Sequence, residues 1–295
     1  MFYIQLITYG ASAPVIYFTF RETRGPAILA KRAKQARRLM HQAGSTEAPG
    51  NQTHTSISLK DFFYGNIIRP AHLLGTEPVV FFFTLLSALS YGLVFISTQS
   101  VIQVYMTNYG WAEYQAGLVQ LSLVLGEFIG FLGCIFQNKI FARAAAKTAL
   151  GDPNPHLPEV RLYASIPGSF VGLAGGLFWY GWTSYSSLPW ILPTIGLGIV
   201  GFGSVVVMQA IMMYVTDAYA KYAASASAAI CFGENMFAAF LPLAAMSMYT
   251  NLGFQWASSL LAFVALALSF APVILVLRGE DIRRRSPFMS QAVYD

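Results

Sequence analysis

Polar and apolar residues do not alternate along this chain; apolar residues come in long unbroken stretches. "SLLAFVALALSFAPVILVL", ending at Leu277, shows the pattern at its clearest. Such stretches occupy residues 2–20, 78–100, 115–137, 163–184, 188–215, 222–248 and 254–277. A bilayer core of about 30 Å takes about 20 helical residues to cross, and each stretch is close to that length or longer. Lipid offers backbone amides no partner, so a spanning segment is either a helix or a strand of a closed barrel. Barrel strands alternate in and out over about ten residues, which these stretches do not do. The pattern therefore predicts an all-α polytopic membrane protein with seven transmembrane helices.

The spacing of the stretches sets the predicted domains. Residues 1–20 form a first helix, 21–77 a basic bridge, 78–277 a six-helix transmembrane bundle, and 278–295 a tail. Within the bridge, "RETRGPAILAKRAKQARRLMHQAG" reads as an amphipathic surface helix with Leu29, Ala33, Ala36 and Met40 on one face. "STEAPGNQTHTS" reads as a polar linker, and "LKDFFYGNIIRPAHLLGTEP" as a segment lying along the membrane surface.

Composition removes the soluble alternative. Hydrophobic residues make up 56% and charged residues 11%, with a mean hydropathy of +0.53. Soluble domains carry about 25% charged residues. The few charges are also sorted. The 18 Lys and Arg fall in 21–77, in 138–162, at Lys221 and in the tail at Arg278 and Arg283–Arg285, and the connections 101–114, 185–187 and 249–253 hold none. The positive-inside rule then places the start of the chain outside and the tail in the cytoplasm. Trp111, Trp182, Trp190 and Trp256 stand at the non-basic ends of spans, with Trp179 one turn deeper, as an interfacial belt would. The net charge of +5 is thus a topological signal with some attraction to anionic lipid, and calls for no nucleic acid. A multi-pass protein of the plasma membrane is the expected setting. Met1 opens into an apolar stretch without a basic leader region, so no cleaved signal peptide is expected. Cys134 and Cys231 lie within spans and are expected as buried thiols, and the sequon at Asn51 is expected as a chance match on the cytoplasmic side.

Several stretches resemble the fungal drug:proton antiporter branch of the major facilitator superfamily. "RETRGPAILAKRAK" is similar to the segment just after that family's sixth span, and "RPAHLLGTEPVVFFFTLLSALSYGLVF" to the start of its seventh. "PEVRLYASIPGSFVGLAGGLFWYGWTS" resembles the start of the ninth span. "YVTDAYAKYAASASAAICFGENMFAAFLPLAAMSMYTNLGFQWASSLLAFVALAL" resembles the tenth to twelfth. The resemblance implies the sixth span plus the C-terminal half of a transporter, with proton-coupled export of small organic or drug-like molecules. Its partners would be a small-molecule substrate, protons, the lipid bilayer and a separate N-terminal half. Where the family carries a basic residue in an "LRS"-like stretch, this chain has "GEN", so the substrate does not carry over with the resemblance.

The candidate chemistry starts from that glutamate. Glu234, beside Asn235, is the only carboxylate in 222–248 and sits near its middle. A charge at mid-membrane is costly and marks a functional site by default. It can bind a proton or attract a cationic substrate; the plainer reading is a glutamate that hydrogen-bonds a neighbouring helix. Glu127 in "LVLGEFIG" is equally deep, as a second cavity group or as a link between helices. Gln209, flanked by Met208, Met212 and Met213, suits an adaptable pocket or one interhelical hydrogen bond in an ordinary core. The resemblance adds that the tenth span lines the family's central cavity, flanked by the eighth and eleventh.

Gly126, Gly130, Gly172, Gly175, Gly176, Gly196, Gly198, Gly201 and Gly203 read as close-packing positions. Pro167, Pro193, Pro242 and Pro272 read as kinks or helix starts. Asp217 beside Lys221 reads as a solvated or paired loop charge, and the tail "RGEDIRRRSPF" as a topology anchor in preference to a regulatory role for Ser286. No phosphate loop, HExxH or Cys–His metal spacing is present, and the four histidines lie outside the spans, so neither an enzyme, a cofactor nor a metal is expected. Two rival readings stand beside transport: a non-transporting or incomplete membrane protein, and a seven-helix receptor.

Overall fold

The computed structural model describes residues 2–19, 63–150 and 157–292, with residues 28, 32 and 35 besides. The chain forms two units, Met1–Ile57 and Ser58–Asp295. The predicted surface helix and polar linker of the bridge lie outside the described residues apart from those three positions.

In the first unit, α1 (Phe2–Thr19) carries no charged residue and contains Pro14. At 1.5 Å per residue it is about 27 Å long, close to the bilayer core. The hydroxyls of Ser12 and Thr19 donate to the carbonyls of Tyr9 and Val15 at 3.0 and 2.6 Å, so both find partners within their own helix.

The second unit opens with a π turn at Tyr64–Ile68 that runs into α2 (Arg69–Thr76). Pro70 sits in the first turn of α2, where its missing N–H leaves no gap. Glu77 takes an extended conformation and Pro78 restarts the chain as α3 (Pro78–Tyr109), which ends on Gly110 in the left-handed region at φ 66°. A short α4 (Glu113–Leu118) leads into α5 (Leu121–Ala149).

The stretch predicted as one helix over 163–184 falls in one helical run, Pro158–Thr183, whose pitch changes along its length. A 3₁₀ turn covers Pro158–Leu162, a single turn Ser165–Pro167, and a π-helical segment Gly168–Gly175, before α6 (Gly176–Thr183) resumes the ordinary pitch. Pro167 removes a backbone donor at the point where the regular ladder would run through.

Next comes α7 (Ile191–Tyr219), which is broken at Ala220, whose φ of 29° and ψ of −86° are not helical. The long α8 (Ala223–Leu268) is divided in two by Gly253 at φ 80° and ψ 162°, a conformation open to glycine and strained for any other residue. After a turn at Ser269, α9 (Phe270–Arg285) continues, and α10 (Met289–Ala292) closes the described chain.

Packing depends on the small residues. A Cβ built on Gly126 would overlap the carbonyl of Gly198, so α5 and α7 touch backbone to backbone. Gly172 and Gly203 bring the π segment against α7 in the same way. Gly175 is different: its nearest neighbour would be an ordinary 3.4 Å away. The core between α3, α7 and α8 is filled by Phe83, Leu86, Leu89, Ile211 and Ile230, with Tyr214 set edge-on to Phe83 at 5.5 Å. Cys134 is buried as expected, whereas Cys231 is exposed, because the helix turns its neighbours Ala229 and Ile230 inward instead.

The two ends of this unit differ chemically. At one end the tryptophans gather: Trp111 lies 5.4 Å from Trp190, Trp182 lies 5.9 Å from Trp256, and the indole of Trp179 donates to the carbonyl of Leu192. The opposite end holds Glu77, Glu159, Arg161, Asp217 and Arg283.

Candidate functional site

The seam between α3 and the first part of α8 is tight at two glycines. A Cβ on Gly233 would run into the side chain of Thr84, and one on Gly92 would lie 3.2 Å from Phe237. Glu234 stands inside this seam, 8% exposed, and accepts a hydrogen bond from the Ser87 hydroxyl at 2.5 Å. No cation lies within ion-pair distance of it among the described residues. One turn earlier on α3, the buried Thr84 hydroxyl has no hydrogen-bond partner among the described residues. Sequence reasoning singles out neither Thr84 nor Ser87. Their signal is the run of small hydroxyl residues on α3 at helical spacing, Thr84, Ser87, Ser90 and Ser97, all buried.

The other sequence candidates do not join this seam. Asn235 is exposed and folds its amide back to the carbonyl of Cys231 at 2.7 Å, so it contributes nothing to its neighbour. Glu127 is half-buried on α5, which packs against α7 and not against α3 or α8. Gln209 is exposed on α7, and Met208, Met212 and Met213 beside it are half-buried. Among the described residues none of the four candidates is hydrogen-bonded to another. Of the sequence candidates, only Glu234 is a buried carboxylate, and Glu127 and Gln209 are separate polar positions.

A second polar layer lies at the end away from the tryptophans. Glu159 is fully buried, and Arg283 Nη1 lies 2.7 Å from both of its oxygens. Glu77, 2% exposed, accepts from the Tyr219 hydroxyl at 3.2 Å and from the Ser286 hydroxyl at 2.8 Å. Asp217 takes Arg161 as an ion-pair partner at 2.8 Å, from across the bundle. The Arg161 guanidinium also lies over the Phe141 ring at 3.3 Å and donates to Asn138 at 3.1 Å. The tail, expected as a topology anchor, is also packed into the bundle. Arg283, Ser286 and Met289 are drawn into the bundle, where two buried carboxylates and the apolar core receive them.

At the tryptophan end, a cleft of about 500 Å³ is lined by Trp111, Gln115, Ser122, Leu125, Trp190 and Thr194, among others. Among the described residues no group of three His, Cys, Asp or Glu is placed to hold a metal.

Comparison with known proteins points to membrane transport. A family model described as Major Facilitator Superfamily matches residues 1–235. The chain is 36% identical over 294 residues to the MFS transporter cpaT of Aspergillus oryzae, covering 98% of this chain and 56% of that protein. It is 33% identical over 291 residues to the efflux pump atB of Aspergillus terreus, covering 97% and 60%. It is 30% identical over 297 residues to the uncharacterized transporter mfc1 of Schizosaccharomyces pombe, covering 97% and 59%. The chain spans about half the length of the curated relatives it matches. No solved structure matches it.

Proposed function

The chain belongs to the major facilitator superfamily, and from that membership we propose that it supplies the sixth span and the C-terminal half of a proton-coupled exporter of small organic molecules. Residues 1–20 are the sixth span, 21–77 the cytoplasmic bridge, 78–277 the second six-helix bundle and 278–295 the cytoplasmic tail. In such transporters two bundles rock about a site at mid-membrane, so Glu234 works opposite a first bundle. Relatives named as efflux pumps support the outward direction.

The observation that carries the proposal is the pairing of Glu234 with Ser87. A hydroxyl both donates and accepts, so it can serve the carboxylate in either protonation state. Ser87 donates to the anion and can rotate to accept from the neutral acid. Gly233 lets α3 come close enough to bring that hydroxyl in.

The test uses a complete transporter containing this half, reconstituted in liposomes with an imposed pH gradient and a fluorescent amphipathic dye as substrate. Glu234→Gln keeps shape and hydrogen bonding but cannot titrate. It is expected to abolish pH-driven dye movement while leaving the amount of protein in the membrane unchanged. Movement that still follows the pH gradient would return Glu234 to a packing role. Glu127→Gln is the parallel measurement on α5.

The topology is tested separately. With the basic end in the cytoplasm of a plasma-membrane protein, a glycosylation site introduced at 104–108 is expected to be modified and Asn51 to remain bare. Modification at Asn51 would reverse the orientation.

A further inference from the structure

We propose that Ser286 is a phosphoryl-acceptor site for an arginine-directed serine kinase, and that its modification unlatches the C-terminal segment from the basic end of the bundle. The proposal takes the basic end as cytoplasmic and is independent of the transported substrate.

Two of the three recognition arginines, Arg284 and Arg285, lie outside the surface, while Arg283 and the acceptor are held inside it. Residues 283–287 read Arg-Arg-Arg-Ser-Pro, and guanidiniums just ahead of a hydroxyl are what an acidic kinase groove binds through paired, charge-assisted hydrogen bonds. The Arg284 side chain is 75% exposed and paired with Glu280 on its own helix, and Arg285 and Pro287 are exposed. Ser286 itself is buried. Its hydroxyl donates to Glu77 at 2.8 Å and accepts the Met289 N–H at 3.0 Å, so this one oxygen both fastens the segment to the start of α3 and caps α10. Beyond it, Phe288 stacks edge-on against His72 at 5.7 Å and Tyr222 at 5.2 Å, and Met289 is fully buried in the core.

In the reaction, Ser286 Oγ attacks the γ-phosphorus of ATP. The new O–P bond forms as the bond to the β-phosphate oxygen breaks, ADP leaves, and the hydroxyl proton passes to the kinase's base. The product carries about −1.5 to −2 charges. Docked in place, that group would face the Glu77 carboxylate in a pocket closed to water, and the proton that Ser286 had donated to Glu77 would be gone. Tyr219, the other donor to Glu77, is already committed to it. Like charges at this distance and burial expel the segment. Because the acceptor and Arg283 are held inside while Arg284 and Arg285 are outside, phosphate is added only when the segment opens, and then holds it open.

The experiment uses the full chain in lipid nanodiscs with cAMP-dependent protein kinase and ATP, read by site-mapping mass spectrometry and by hydrogen exchange of residues 286–292. Phosphate is expected on Ser286, none is expected there in Ser286→Ala, and Glu77→Gln is expected to raise the initial rate several-fold by loosening the dock. The phosphorylated chain is expected to exchange its 288–292 amides about tenfold faster. Absence of phosphate on Ser286 in the wild-type chain, including incorporation elsewhere only, overturns the site. Phosphate on Ser286 with unchanged exchange overturns the unlatching.

Discussion

Arg283→Ala is expected to destabilise the bundle by about 3–5 kcal/mol, the cost of removing one partner of a buried ion pair. Glu159 is fully buried and takes Arg283 at 2.7 Å on both oxygens, while the Arg283 side chain is only 11% exposed. The carboxylate has nowhere to go: a single carbon added at Gly279 would already overlap it. Loss of the arginine takes the guanidinium away from an anion held between α9 and the Pro158–Leu162 turn. The measurement is the unfolding midpoint of the purified chain in detergent, with denaturant titration for the free energy. Arg283→Lys is expected to recover only part of the loss, because one ammonium cannot reproduce the planar fork of a guanidinium. The double variant Glu159→Leu/Arg283→Met is expected to recover most of it, since a buried pair replaced as a pair by apolar residues of similar size is close to neutral. A single variant within about 0.5 kcal/mol of wild type, the range of ordinary surface changes, would show that this pair does not hold the basic end together.

Gly203→Val is expected to be as damaging by a different route. A Cβ at Gly203 would sit 2.6 Å from the Gly168 carbonyl oxygen and 2.6 Å from the Gly172 carbonyl carbon. These are backbone atoms, so no side-chain rotation makes room, and α7 must move away from the π segment along their whole contact. Overpacking that side chains can absorb costs about 1–3 kcal/mol; here the cost is expected at the top of that range or beyond. Without a hydrophobic force between helices in lipid, close backbone approach is itself the source of association. The variant is expected to lose monodisperse protein on size-exclusion chromatography. Gly117→Ala, where an added carbon meets nothing within 4 Å, is the matched control and is expected to behave as wild type. Equal behaviour of the two variants would remove close packing at Gly203 as a determinant of the fold.

The membrane-spanning stretches were legible because lipid imposes one rule on the whole chain: a segment that crosses must be apolar over its length and must pair its own backbone. That rule acts on composition in a window, so it survives without tertiary information. The close-packing glycines were legible for a related reason, since only a residue without a side chain permits backbones to touch, as at Gly126 and Gly203. Glu234 stood out because a carboxylate is costly where it lies.

What the sequence could not reveal is which residues meet. The partner of Glu234 is Ser87, and that of Asp217 is Arg161; both pairings depend on elements that are distant in the chain and adjacent in space. The fate of the tail turned on the same point. A run of arginines after the last span satisfies the positive-inside rule whether it lies in water or folds inward, so composition treats both outcomes alike. Only the tertiary structure, by burying Glu77 and Glu159 at one end of the bundle, placed acceptors out of reach of water and made drawing Arg283 and Ser286 inward favourable over leaving them solvated.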